Sequence, residues 1–261
     1  MMRGRDLAQP LDGRCRVLAL AGTALAGVGL GYGAAHFFSD SIAYWGVVSV
    51  PFFITLRVVI PATLIAGVTG IASGYILAKG RFPGRDLLET IGSLPIILPP
   101  TVIGFYLLEV LSPGSEVGGL VTRVVGHVLV YNVAGCIIAA TVAAFPFCMR
   151  AARSAIEGVD PSLEQAARAM GIPNWRVALQ VTLPLARRGI ASGLTIGCAR
   201  ALGEYGATLM VGGDINGKTR TLSLAILDSF TTPERNAMLL ILVLLAIMAM
   251  TGVGLLGQTR S

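Results

Sequence analysis

The residues able to do chemistry in this chain are few. Arg200 and Glu204 stand four apart in GCARALGEYGATLMVGG, inside a long apolar run, where each charge costs roughly 2.5–3.5 kcal/mol on insertion scales. They share one helical face and partly neutralise each other, so they face protein or a water-filled path, not lipid. Two readings follow: an ion pair tying this helix to a neighbour, or groups that line the route of an anion together with Tyr205 and Thr208. Gly212, Gly217, Lys218 and Thr219 in GGDINGKT satisfy the phosphate-loop spacing G-x-x-x-x-G-K-[ST]. That loop works only between a strand and a helix, with its amides wrapped around phosphates. Here an apolar helix precedes it, the Lys and Arg distribution places it outside the membrane, and only about 20 residues separate it from the last span, so the match is read as chance. His36 and His127 are isolated, and Cys15, Cys136, Cys148 and Cys198 lack paired spacing, which argues against a metal site or a disulfide framework. With no Ser/His/Asp set either, no active site and no cofactor bound by this chain are expected.

The most informative polar stretch is 160–184, DPSLEQAARAMGIPNWRVALQVTLP. Asp160 at the N-cap, Pro161 at the first helical position, Glu164 in the first turn and Gly171 as the stop delimit a short helix. Leu163, Ala166, Ala167 and Met170 form one apolar stripe, with Glu164, Gln165 and Arg168 turned elsewhere. Such a helix needs something to dock into. A second segment starts with Asn174 as a cap beside Trp175 and ends at Leu183-Pro184.

The elements that position these residues are membrane spans. Hydrophobic residues make up 54% of the 261, charged residues 13%, and mean hydropathy is +0.75, too little polar surface to cover a soluble core. An all-α polytopic membrane protein follows. Six stretches satisfy the roughly 17–25 apolar residues of a crossing: 17–38, 54–78, 94–111, 124–147, 189–211 and 237–257. With the N-terminus inside, only Arg123, Lys218, Arg220 and Arg235 fall outside and Arg57 and Arg200 within spans, while the other Lys and Arg lie on the cytoplasmic side. That bias sets a multi-pass orientation in the cytoplasmic membrane with 160–184 facing the cytosol. The net charge of +6 then reflects topology and anionic lipid, not nucleic acid.

Span 17–38 follows Arg14 and Arg16 like a signal peptide, but is too long for a signal core and is read as a retained anchor. A short cytoplasmic loop, 79–94, leads to Pro95, Pro99 and Pro100, which break or kink the third span. Glycines four apart in several spans permit close helix packing, within one subunit or at a dimer seam.

The order Gln165-Ala166-Ala167, Gly171, Val181, Leu183-Pro184 resembles the EAA loop of binding-protein-dependent ABC importer permeases. The family's glutamate is Gln165 here, with Glu164 one place earlier. LEQAAR, PIILPPTVIG, ARALGEYGAT and the stretch GATLMVGGDINGKTRTLSLAIL resemble the molybdate branch, and the last speaks for molybdate over sulfate. The resemblance covers residues 52–254. It implies a type I permease domain over 52–257, a coupling loop over 150–188, an added segment over 1–51 with the first span, and a cytoplasmic tail over 258–261. It implies coupling roles for Glu164, Gln165, Ala166, Ala167, Gly171, Trp175, Leu183 and Pro184. It also implies a separate cytoplasmic ATPase using ATP-Mg, an extracytoplasmic oxyanion-binding protein and a second permease copy. Leu222 to Leu227 is expected to dip back against the bundle. Lys218 and Arg220 are candidate contacts for the binding protein, or form a basic loop with no role. Sulfate, thiosulfate or tungstate as cargo, a passive channel or scaffold, and a membrane enzyme built on GGDINGKT remain as alternatives.

Overall fold

A computed structural model describes residues 45–229 and 234–258. The first span at 17–38, His36 and Cys15 lie outside them, as does the predicted tail 258–261 except Gln258, which ends the last helix. The described chain is helical: α1 Trp45–Lys79, α2 Arg85–Ile97, α3 Pro100–Leu111, α4 Glu116–Val125, α5 Val133–Glu157, α6 Pro161–Ala169, α7 Asn174–Val177, a π-turn Ala178–Thr182, α8 Leu183–Leu202, α9 Gly206–Gly212, α10 Leu222–Asp228 and α11 Glu234–Gln258.

Among the described residues, α1 and α5 are each long and apolar enough to cross a membrane. The predicted third span is broken: α2 and α3 meet at 112°. Pro99 forces Leu98 into extended backbone at ψ 141°, as a residue before proline prefers, and Pro100 then starts a new helix where its missing N–H costs nothing. The predicted loop 79–94 is therefore largely helix, since α2 begins at Arg85. The predicted fourth span, 124–147, shifts to 133–157. Gly126 at φ 79° ends α4, and Asn132 caps α5 by accepting from Val133 N at 2.7 Å. The predicted span 189–211 is likewise interrupted, α8 ending at Leu202 and α9 starting at Gly206. Predicted spans 54–78 and 237–257 fall within α1 and α11.

Helices α1, α5 and α8 form the centre, and glycines set how closely they approach. A Cβ at Gly70 would lie 2.7 Å from Cys148 Cβ and 2.9 Å from Met149 N, and one at Gly74 2.8 Å from Met149 O. Gly189, Gly193 and Gly197 of α8 press on Ala155, Ala151 and Cys148 of α5. These small-residue rows thus pack inside one subunit. The resulting core holds Val58, Ala62 and Ala66 of α1, Cys136, Ala140, Ala144 and Cys148 of α5, and Ala201 and Leu202 of α8. Arg153 of α5 pairs with Glu89 of α2 and with Glu157, which also takes Arg85 at 2.6 Å, fixing α2 against α5.

Candidate functional site

The stretch 160–184 folds as a helix, a sharp corner and a second helix entering α8. Asp160 accepts from Ser162 N at 2.8 Å, so the cap and the Pro161 start fall where their chemistry requires. The same hydrogen bonds, first from the Ser162 backbone and then from its hydroxyl, hold the Asp160 carboxyl below its ordinary value. Gly171 turns at φ 79°, a left-handed conformation that glycine adopts without a Cβ penalty. Pro173, not Asn174, is the N-cap of α7. Asn174 instead accepts from Arg168 Nε at 3.1 Å, bracing the two helices across the corner.

Glu164 is the hub, and the face it occupies is the one turned into the protein. The apolar stripe is not the buried face: Leu163 is 48% and Met170 73% exposed, whereas Glu164 is 3% exposed and only Ala167 of the stripe is buried. Lys79 Nζ, at the end of α1, lies 2.8 Å from Glu164 Oε1. Thr182 donates to the same oxygen at 2.7 Å, and Arg168 reaches Oε2 at 3.3 Å. Burial pushes this carboxyl up. The hydrogen bonds from Lys79 and Thr182, with the charges of Lys79 and Arg168, outweigh burial and hold it below the usual 4.5. A buried carboxylate is stable only when paired and hydrogen-bonded in this way. Gln165 is exposed, so the acid of this loop is Glu164.

The π-turn makes the hub possible. Leu183 N bonds Ala178 O, five residues back, and Pro184 follows without an N–H. The wider turn carries Thr182 inward to 1% exposure; such turns recur at functional sites. Lys79 and Thr182 were not picked out from the sequence. Thr182 sits at the unspecified position of the Val181-x-Leu183-Pro184 pattern, and no local signal links Lys79 to a residue so far along the chain.

The exposed stripe lines a groove of about 780 Å³ together with Gln180, Val181, Pro184 and Leu185, flanked by Arg187 and Arg188. Trp175 is 61% exposed and lies on another face, with the Arg176 guanidinium 5.0 Å from its ring centroid. Leu183 is half-buried and Pro184 exposed.

Arg200 and Glu204 come together where the fifth predicted span is interrupted. Arg200 Nη1 is 2.5 Å from Glu204 Oε2, and Glu204 Oε1 accepts from Ala207 N at 2.8 Å. The carboxylate therefore joins the end of α8 to the start of α9, the two helices into which the predicted span 189–211 is divided. It satisfies an amide that the break would otherwise orphan. Thr208 is buried and Tyr205 half-buried beside it. Gly206 abuts Pro100 and Thr101, so the two helix breaks touch.

The loop GGDINGKT lies between α9 and α10, not after a strand. Thr219, fully buried, donates to Gly212 O at 2.8 Å and accepts from Ile215 N at 2.9 Å, so its hydroxyl is committed inside the turn. Arg220 is held by Asp214 at 3.0 and 3.2 Å and by Asp228 at 2.8 Å, while Lys218 is exposed. Helix α10 does dip back: Leu222, Leu224 and Ala225 are buried, and Leu222 N bonds Thr55 Oγ1 of α1 at 2.8 Å.

The pattern of the family described as "binding-protein-dependent transport system inner membrane component" matches residues 70–258. The chain belongs to that family. Among relatives of this permease, the "Molybdenum transport system permease protein ModB" of Escherichia coli strain K12 is 39% identical over 180 residues, covering 69% of this chain and 79% of the relative. The "Sulfate transport system permease protein CysT" of the same strain is 31% identical over 202 residues, covering 74% and 73%. Of solved structures, an inward-facing MetNI methionine ABC transporter chain superposes with a TM-score of 0.60 at 21% identity, covering 80% of this permease and 94% of that chain. That likeness concerns the fold.

Proposed function

We propose that the chain is the membrane subunit of an ATP-driven importer of molybdate, working with a separate ATPase on the cytosolic side and an oxyanion-binding protein on the other. The observation that carries the reading is the 39% identity to the molybdenum permease over 180 residues, exceeding the 31% to the sulfate permease. The reading includes six crossings with the N-terminus inside, the broken helices counting as spans, and two copies of the chain around one path.

The geometry gives this reading a mechanism. The stripe Leu163, Ala166 and Met170, with Pro184 and Leu185, is the apolar face offered to the ATPase, and Gln165 and Gly171 shape its rim. Motion of α6 passes through Glu164 into Lys79 of α1 and Thr182 before α8, so coupling helix and spans move as one lever. Direction comes from the ATPase binding ATP more tightly in one of two states. Arg200, Glu204, Tyr205 and Thr208 stand at the break along the path, and Lys218 faces the binding protein, with Arg220 ordering its loop. ATP-Mg is used by the partner.

Co-purification of an ATPase, followed by hydrolysis with the binding protein loaded in turn with molybdate, tungstate and sulfate, tests the reading. Stimulation by molybdate is expected. Stimulation by sulfate alone would favour the sulfate alternative, and flux with no ATPase bound would favour a passive channel.

A further inference from the structure

A second groove, of about 650 Å³, runs between α1 and residues 174–183, with Val68, Ile71, Ala72, Trp175 and Leu179 in its walls. Its ends are ordered by contacts elsewhere. Glu164 takes Lys79 on one oxygen and Arg168 on the other, and Arg168 in turn holds Asn174; Val68 stands eleven residues before Lys79 on α1. Trp175 therefore lies at the Lys79 end and Val68 at the other. From Arg57 to Lys79 helix α1 carries no charge, and at ~1.5 Å per residue that interval rises about 33 Å, close to the ~30 Å hydrocarbon core. Lys79 thus marks the boundary of the bilayer. Val68 at 70%, Leu179 at 57% and Trp175 at 61% exposure leave the apolar walls open along that depth.

We propose that this groove is a binding site for an anionic phospholipid, with an acyl chain along Val68 and Ala72 and the phosphate at Arg176. Trp175 sits at headgroup depth, the station that interfacial tryptophans prefer, and holds the Arg176 guanidinium against its ring. At this end Arg168 holds Asn174 of the groove wall, and Lys79 and Arg168 share the single carboxylate of Glu164, with Arg176 beyond them. The surplus is cationic, which selects an anionic headgroup over a zwitterionic one. One wall of the groove is the segment that joins α6 to α8, so a bound lipid would brace the lever itself.

The chain has two tryptophans, Trp45 and Trp175, so a Trp45→Phe full-length permease reports from the groove alone. In phosphatidylcholine vesicles, phosphatidylglycerol brominated on its acyl chains should quench Trp175 more effectively than brominated phosphatidylcholine, by about fivefold, the ratio one cation near an anionic surface yields. Arg176→Gln should bring the ratio to about one while Arg176→Lys keeps most of it. Equal quenching by the two lipids in the parent would overturn the proposal. So would an absence of quenching, which means that protein covers the groove, whether residues 17–38 or a second copy. Neither cargo nor ATPase enters this assay, so a negative result would leave the transport assignment standing.

Discussion

Replacing Lys79 by Met removes the strongest partner of the buried Glu164 carboxylate while keeping the length of the side chain. Losing one partner of a fully buried pair costs about 3–5 kcal/mol. Here the Lys79 side chain is 25% exposed and Arg168 remains on the other oxygen, so the expected cost falls to about 2 kcal/mol. Glu164→Gln keeps shape and the Thr182 contact but discards the charge, and the double variant removes both poles. Unfolding of the purified permease by sodium dodecyl sulfate in mixed micelles, measured for all four members of the cycle, should give a coupling energy of about 1.5 kcal/mol. Molybdate-stimulated hydrolysis by the assembled complex should fall in both single variants and recover partly in the double one. Strict additivity, within about 0.5 kcal/mol, would refute the idea that this pair carries the lever. The same carboxyl sets a pH dependence. Its pKa is held below 4.5 in the folded chain, so its stabilisation is complete above the unfolded value and is lost as pH falls through the folded one. Acid unfolding of the parent should therefore begin below 4.5, and Lys79→Met should move that onset upward.

Other variants test separate joints. Thr182→Val keeps the shape of the π-turn but withdraws a hydrogen bond to a buried charge, and should cost about 1.5–3 kcal/mol in the same unfolding assay. Gly70→Val pushes a side chain into Cys148 and the backbone of Met149, which should destabilise by about 1–3 kcal/mol and lower the yield of folded permease. Glu204→Ala strips both the Arg200 partner and the cap of α9. Uptake should be lost with the ATPase still bound, whereas Glu204→Gln should retain part of it. Arg220→Ala frees Asp214 and Asp228 and should speed amide exchange in residues 213–221 without altering the exchange of α1.

Much of the coupling segment was legible because its signals are local. Asp160, Pro161 and Gly171 each act through the backbone within a few residues. The orientation of its apolar stripe was not, because amphipathic pattern shows which residues share a face and not which face is covered. A carboxylate turned inward contradicts the pattern unless its distant cation is known, and Lys79 is near Glu164 only in space. The spans tell a similar story. Hydropathy averaged over a crossing located α1 and α11, but it cannot see the short interruptions at Leu98-Pro99 or at Gly203 to Tyr205, which leave the average untouched. The prolines announced the first break. The second had no such marker, and its capping group, Glu204, is legible only as an expensive charge until the amide of Ala207 is found beside it.

The wide turn at Ala178–Thr182 also fixes an angle. Each residue of ordinary helix advances the chain by about 100°, and the five-residue ring holds one residue more than regular winding needs. Deleting a single residue there would restore regular winding and leave the glycines of α8 facing their present neighbours, yet it would remove the inward step that brings Thr182 to its carboxylate. The surplus residue thus serves the cytosolic arm and not the barrel: it is the slack that lets one hydroxyl reach across to Glu164 without disturbing the packing of the helix behind it.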